Sequence, residues 1–438
     1  CIIRNCYLMT NGYAGIGCAG SYNVIGGTNA AQRNVISANT NGVYLSSGWS
    51  NNTVIGNFIG LDPTGTLTNG NRQIGIAIDG SAKNRIGSIT NGARNIISAN
   101  GGPGIQMRYS NSFQNIVENN YIGTDTNGTA AFGNVGHGIL IFWSWSNRVG
   151  GTSVSQRNVI CGNQSGVRLE SGASDYSFGN VIQGNYIGIS ATGGALSNRT
   201  YGIHLQYSPS NTIGGAVSGA GNVIAGGQYG IYMEGTNTCG TIIQGNKIGT
   251  DPSGSNARKF TSGGIALGGS RYTQVGGTNE FARNLICGSM QSGVTTADDQ
   301  GGYHVIEGNY IGVDLGGTLV ISNALSGIAL NVPYCRIGGT NASQRNVISG
   351  NLVGISLAGT NAHHAEILGN YIGVDATGLA ALGGQVGIQL YNVRNCEIGR
   401  GDGPYGNVIA GMSSDGIYLG SGCAENRIRN NFIGVDAT

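Results

Sequence analysis

Apolar residues along this chain fall into short alternating runs and form no helical stripe. A four-residue pattern (Gly, Ile or Val, a variable residue, an apolar residue) begins at Gly15, Gly42, Gly75, Gly104, Gly138, Gly166, Gly202, Gly230, Gly264, Gly293, Gly327, Gly354, Gly387 and Gly416. Its second position is always Ile or Val. Its fourth is Leu, Ile or Met except at Cys18 and Thr296. The position between them runs from Gly and Ala to Arg, His and Tyr. This period of two is that of a strand with one buried face.

The steps between copies alternate, 27–29 residues and then 33–36, so the true unit is a pair of about 62 residues. The long member carries IxGNYIGxDxxG, with its Asn at Asn57, Asn120, Asn185, Asn246, Asn309, Asn370 and Asn431. The short member carries IGGTxxxxRNVIS, whole at residues 25–37 and 337–349. Each member therefore holds three strand segments: GIxL, NxI, and YIGx or NVIS. Three strands in roughly 30 residues is the arithmetic of a parallel solenoid. The third-segment residues Ile36, Ile97, Ile160, Ile224, Ile286, Ile348 and Ile409 are expected to stack as one inward column. Stacking at about 4.8 Å per coil gives a rod of roughly 65 Å, and crossover chirality favours a right-handed coil. The expected fold is all-β, a right-handed parallel β-helix of about fourteen coils, as one domain over residues 1–438.

Composition sharpens this picture. Glycine accounts for 82 of 438 residues, which reads as turn punctuation, and so many glycines exclude long helices. Charged residues are 10% and net charge is +2, with 39% apolar residues. That excludes a disordered, charge-rich chain and gives no electrostatic case for nucleic acid or an anionic membrane surface. No run approaches the roughly 20 apolar residues of a membrane span. The nine cysteines form no CxxC pair and are odd in number, so neither a disulfide framework nor a zinc site is called for.

The whole chain resembles the right-handed parallel β-helices of the pectin-lyase-like superfamily. GNYIGxDxxG and IGGTxxxxRNVIS are similar to the repeats of long secreted or surface-attached microbial proteins. The resemblance implies the fold and an extracellular or cell-surface setting. It leaves lyase, hydrolase, adhesin and passive stalk open, because site chemistry and not fold decides among them.

The asparagine column is expected to form a hydrogen-bonded ladder, with Cys6 as a missing rung. The aspartates Asp62, Asp125, Asp251, Asp314, Asp375 and Asp436 recur once per two coils. Calcium wants six to eight oxygens, and one carboxylate about every 10 Å is sparse for that. An Asx turn needs only one side chain, so a turn role is expected; calcium is the other reading, and no other cofactor is implied. Arg33, Arg94, Arg157, Arg283 and Arg345 end the long loop before NVIS. Capping of loop carbonyls or cover for a neighbouring turn is expected there, against a grip on acidic glycans.

Aromatic residues crowd the turns after GIxL: Trp49, Tyr109, Phe113, Phe142, Trp143, Trp145, Tyr176, Phe178 and Tyr207. Trp49, Tyr109, Trp143, Trp145, Tyr176 and Tyr207 are the glycan-binding candidates, set against plain packing of turn side chains. Two regions hold the candidate catalytic groups: Arg168, Glu170, Asp175 and His204, and Asp298, Asp299, Arg271 and His304, where GIxL degrades to Gly293-Val-Thr-Thr. Acids scattered over a repetitive surface are more often solvated than catalytic. His363 and His364 are adjacent without a third ligand.

The chain begins in the second strand of one coil and stops in the long loop of another, as expected of a piece of a longer protein. End-to-end self-association of open coils is the second expectation. The function expected is that of a non-enzymatic stalk, adhesin or filament subunit that binds polysaccharide or cell-surface glycan along an aromatic edge. A polysaccharide lyase or glycoside hydrolase is the alternative.

Overall fold

The computed structural model describes the chain except Asn91, residues 173–175, Ala297, Asp299, Asp402, Pro404, Tyr405 and Thr438. It is all-β, with three parallel sheets forming a solenoid of about fourteen coils. Helix among the described residues amounts to the 3-10 turns Ala30–Gln32, Val154–Gln156, Glu280–Ala282 and Ala342–Gln344. Each lies in the long loop of a short member. The chain divides into two compact units, Cys1–Gly214 with Ser218–Gly227, and Gly215–Val217 with Gln228–Thr438.

In the first unit NxI segments such as Thr53–Ile55 build the first sheet and Phe58–Ile59 and its counterparts the second. GIxL segments such as Ile76–Asp79 build the third. Register is kept from coil to coil. In the second sheet Ile36, Ile59, Ile97, Ile122, Ile160, Ile187 and Ile224 pair in sequence, and all are fully buried. In the third, Ile105 and Met107 point inward while Gln106 is half-buried on the outer face. Both alternations expected from the pattern are present. At about 25 cal/mol per Å² such columns supply most of the stabilisation.

The glycine that opens GIxL has a steric cause. A Cβ at Gly138 would lie 2.5 Å from Ile160 Cγ2 and 2.6 Å from the Gly166 carbonyl. The inward corner is already full there, and no side chain fits.

The second unit repeats the plan. Ile248, Ile286, Ile311, Ile348, Ile372 and Ile409 form the buried second-sheet column. Its third-sheet strands lengthen to eight residues at Gly384–Tyr391 and Met412–Leu419.

The asparagine ladder at the corner between first and second sheets runs through every coil, at twice the frequency read from sequence. The short members contribute Asn34, Asn95, Asn158 and Asn222, and in the second unit Asn284, Asn346 and Asn407, at the position of the Asn of RNVIS. Asn120 shows the rung chemistry: its backbone N–H and its Nδ2 donate to Asn158 Oδ1 at 2.9 and 3.0 Å, and Nδ2 also donates to the Ile86 and Glu118 carbonyls. Cys6 takes the first position; its backbone N–H donates to Asn34 Oδ1 and its thiol to the Arg4 carbonyl, with no side-chain bond to the next coil.

Candidate functional site

The candidate site is the corner between the third and first sheets, because the turn there projects side chains outward from every coil. The residue two positions before each first-sheet strand is left-handed. In the first unit it is Tyr22, Asn51, Lys83, Gln114, Ser146, Gly179 and Ser210; in the second it includes Tyr272, Tyr303, Tyr334, His364, Asn395 and Glu425. Left-handed backbone costs a non-glycine residue roughly 1 kcal/mol, so the turn must be held by its neighbours. The residue that follows faces inward. In the first unit it is Asn23, Asn52, Asn84, Asn115, Asn147, Asn180 and Asn211, a second ladder with backbone N–H to Oδ1 rung bonds of 2.9–3.0 Å. In the second unit the inward position passes to Thr241, Thr273, His304, Cys335, Ala365 and Cys396, and asparagine returns at Asn426, whose Oδ1 accepts from the Cys396 N–H.

Aromatic rings line this corner in columns. In the first unit Phe113, Trp145 and Phe178 stack with interplanar angles of 7° and 6° at 4.7 and 5.8 Å. The Trp145 indole N–H donates to the Ser110 carbonyl at 2.8 Å. A separate group joins Tyr109, Trp143 and Phe142, with centroids 6.4 and 4.2 Å apart. The candidates Tyr109, Trp143 and Trp145 thus fall into two groups. Trp49, Tyr176 and Tyr207 are exposed and stack on no ring among the described residues.

The second unit carries a column that the sequence reading overlooked. Tyr272, Tyr303, Tyr334 and His364 stack at 5.0, 4.9 and 5.1 Å, with interplanar angles of 28°, 12° and 20°. The tyrosines are 60%, 40% and 44% exposed. Their shared signal is placement two residues before the first-sheet strand, in register from coil to coil. His363 Nδ1 lies 2.8 Å from His364 Nδ1, and burial, His364 and Arg394 push His363 below the usual imidazole range.

The first set of candidate catalytic groups lies on the outer face of the third sheet. Arg168 and His204 are direct partners across adjacent strands. Arg168 Nε lies 3.0 Å from Glu170 Oε2, an ion pair without hydrogen-bond alignment, and Arg168 also donates to Gln206. His204 is 4% exposed. Burial and the Arg168 charge push it down to about 3. His137 is pushed down to about 4 by burial, Arg168 and His204. Both imidazoles are therefore neutral at pH 7. Asp175 lies outside the described residues.

The second set is dispersed. Asp298 Oδ1 accepts from the backbone N–H groups of Gly269 at 2.8 Å and Gln300 at 3.1 Å. His304 is fully buried in the inward column, where its Nδ1 accepts from the Thr273 N–H; burial pushes it down to about 4. Arg271 is exposed on the turn. Asp299 lies outside the described residues.

The loop aspartates bond within their own turns. Asp125 Oδ1 accepts from Thr129 N and Ala130 N at 2.7 and 3.0 Å, and Asp314 Oδ1 from Thr318 N and Leu319 N, both at 2.8 Å. Ser190, which stands in the same column, accepts from Gly194 N at 2.9 Å. Asp62 is held down to about 2 by its bonds from Thr64 and Leu67. At Asp251 burial opposes ionisation, yet bonds from Ser253 and Asn256 bring it to about 2. Asp375 accepts in the same way from Thr377 and Ala380. Among the described residues no three His, Cys, Asp or Glu side chains are placed to hold a metal ion.

The loop arginines pack on the next coil. Arg33, Arg94, Arg157, Arg283 and Arg345 sit 4.0–4.1 Å above the rings of Phe58, Tyr121, Tyr186, Tyr310 and Tyr371. Where Gly221 replaces the arginine, the ring position holds Lys247. Four of these rings also meet a loop glycine: a Cβ at Gly65, Gly128, Gly317 or Gly378 would lie 2.7–2.9 Å from the ring of Phe58, Tyr121, Tyr310 or Tyr371.

No family model matches the chain, and no curated protein matches it. Among solved structures it is similar to the periplasmic alginate epimerase AlgG, at 12% identity over 92% of this chain and 77% of that one, with a TM-score of 0.43. It is also similar to a TibC-catalysed hyper-glycosylated TibA fragment, at 9% identity over 97% of this chain and 99% of that one, with a TM-score of 0.22. A likeness at these levels is one of fold and carries no conclusion about activity.

Proposed function

We propose that this chain is a structural and adhesive solenoid of an extracellular or cell-surface protein, which holds glycans at its aromatic corners and cleaves none. The observation that carries the reading is the division of labour between acids and rings. Asp298 spends its carboxylate on turn N–H groups, Glu170 is paired with Arg168, and His204 and His304 are buried. The two histidines are closed to a polymer, and the two carboxylates, though reachable from solvent, are already engaged. The column of Tyr272, Tyr303 and Tyr334 instead stands well exposed on one corner, and its ring edges and column ends suit a ligand with an apolar face and polar rim. No helix among the described residues is long and apolar enough to cross a membrane.

The lyase or hydrolase alternative has one observation in its favour: neutral His137 and His204 flank Arg168, which sets a base beside a cation. Incubation with neutral and acidic polysaccharides, followed by product mass analysis, tests both readings. The adhesive reading predicts retention of intact polymer. Depolymerisation that disappears in Glu170→Gln or Asp298→Asn would overturn it.

A further inference from the structure

Stacking uses up ring faces. Within a column each ring covers its neighbours, so an inner ring such as Trp145 or Tyr303 presents only its edge. Free faces occur where a column stops. In the second unit the position before Tyr272 is Gly240, and the position after His364 is Asn395. Neither continues the stack. Beside the His364 end lies a cavity of about 440 Å³, lined by Tyr334, His364, Glu366, Asn395, Glu397, Glu425 and Arg427 among others. That size falls within the roughly 300–1,000 Å³ of small-ligand sites.

The polar lining is balanced. Glu366 is neutralised by Arg400 at 2.8 Å and Glu397 by Arg429. Glu425 and Arg427 have no ion pair among the described residues, which leaves one acceptor and one donor of opposite charge. With two of its three carboxylates neutralised and the third offset by Arg427, the lining gives neither a uronate nor an amino sugar a net counter-charge. A ligand rich in hydroxyls and without charge needs none. Carboxylates accept from hydroxyls, a guanidinium donates to them, and an imidazole face covers the apolar face of a sugar ring.

We infer that the second unit holds a saccharide subsite at the His364 end of its tyrosine column, and that its ligand is a neutral glycan. The inference rests on the glycan-holding reading and adds a place and a ligand class. His364 supplies the ring face, Glu425 accepts and Arg427 donates, on the corner and the adjoining outer face of the first sheet.

Calorimetric titration of the full chain with cellohexaose and laminarihexaose, a hexagalacturonate and a chitosan hexamer tests it. At least one neutral hexamer binds more tightly than both charged ones, and His364→Ala weakens that binding about tenfold, the loss of one ring face. Glu425→Gln, an exposed change, keeps the fold and weakens binding about threefold. Tighter binding of the uronate or the amino sugar overturns the ligand class. Neutral binding that survives in His364→Ala but is lost in Phe178→Ala overturns this subsite and leaves the broader reading standing. No binding by any hexamer or polymer overturns both. Thermal melts confirm that each variant is folded.

Discussion

The two units solve the same corner differently. In the first, the inward position is asparagine in every coil, and each amide is shared with the coil above. In the second, Thr273, His304, Cys335 and Ala365 take that position, and the amide ladder is interrupted until Asn426. The turn survives: Tyr272, Tyr303, Tyr334 and His364 keep the left-handed backbone of Gln114 and Ser146. The difference teaches that the turn needs neighbours in register more than it needs an amide. Where the inner bonds are missing, stacked rings on the outside tie one coil to the next. In the first unit the rings lie one residue earlier, over a corner that asparagines already hold.

The largest expected effect separates the inner positions. Asn147 receives bonds from Asn115 and donates to Ser112, Ser144 and Asn180. Asn147→Ala orphans several buried groups and should cost about 3–5 kcal/mol in denaturant unfolding. Thr273→Ala, whose hydroxyl makes one bond of 3.4 Å, should cost about 1 kcal/mol. Equal losses would erase the contrast.

Next comes acid sensitivity. His304 titrates near 4 when folded, below the usual 6.5. A depressed imidazole value means the folded state resists protonation, so stability is complete above 6.5 and is lost as pH falls toward 4. His304→Asn installs the first unit's rung and should recover about 2 kcal/mol at pH 5 relative to wild type. Chemical denaturation at pH 7.5 and pH 5 measures it, and an unchanged difference between the two pH values contradicts the assignment.

The outer columns differ by a smaller margin. Trp145 is sandwiched on both faces and bonded to Ser110, so Trp145→Ala should cost about 2–3 kcal/mol. Tyr303→Ala should cost about 1 kcal/mol. Tyr303→Gly relieves left-handed strain and should be close to neutral. A Tyr303→Gly loss as large as that of Trp145→Ala would show that the tyrosine column holds the second unit as firmly as the Trp145 column holds the first.

The smallest effect is in the loops. Asp62 is held near 2; a lowered carboxylate contributes above the unfolded value near 3.8, and that contribution fades as pH falls toward 2. Asp62→Asn should flatten the melting-temperature profile between pH 4 and pH 2 and lower the pH 7 value slightly, toward that of the acidified wild type.

The fold was legible in the sequence because each coil repeats one steric problem: Gly138 has no room for a Cβ and Ile160 must fill a column. The first–second corner ladder was half legible, since GNYIG advertises Asn120 while RNVIS hides Asn158 behind an arginine that is itself conspicuous. The site was less legible. Aromatic density pointed to Trp143 and Trp145, whose faces are covered, and passed over Tyr272, Tyr303 and Tyr334, which are spread one to a coil. Their significance lies in register across about 30 residues, which becomes visible only once strand pairing sets which turns are neighbours. The degraded GIxL at Gly293-Val-Thr-Thr drew attention to Asp298, where the carboxylate serves a turn.

The most direct test is a crystal structure of the full chain soaked with a neutral hexasaccharide. A sugar ring is expected against the free face of His364, with hydroxyls on Glu425 and Arg427. A saccharide bound on the outer face of the third sheet beside Arg168 and Glu170, with the His364 cavity empty, would contradict it.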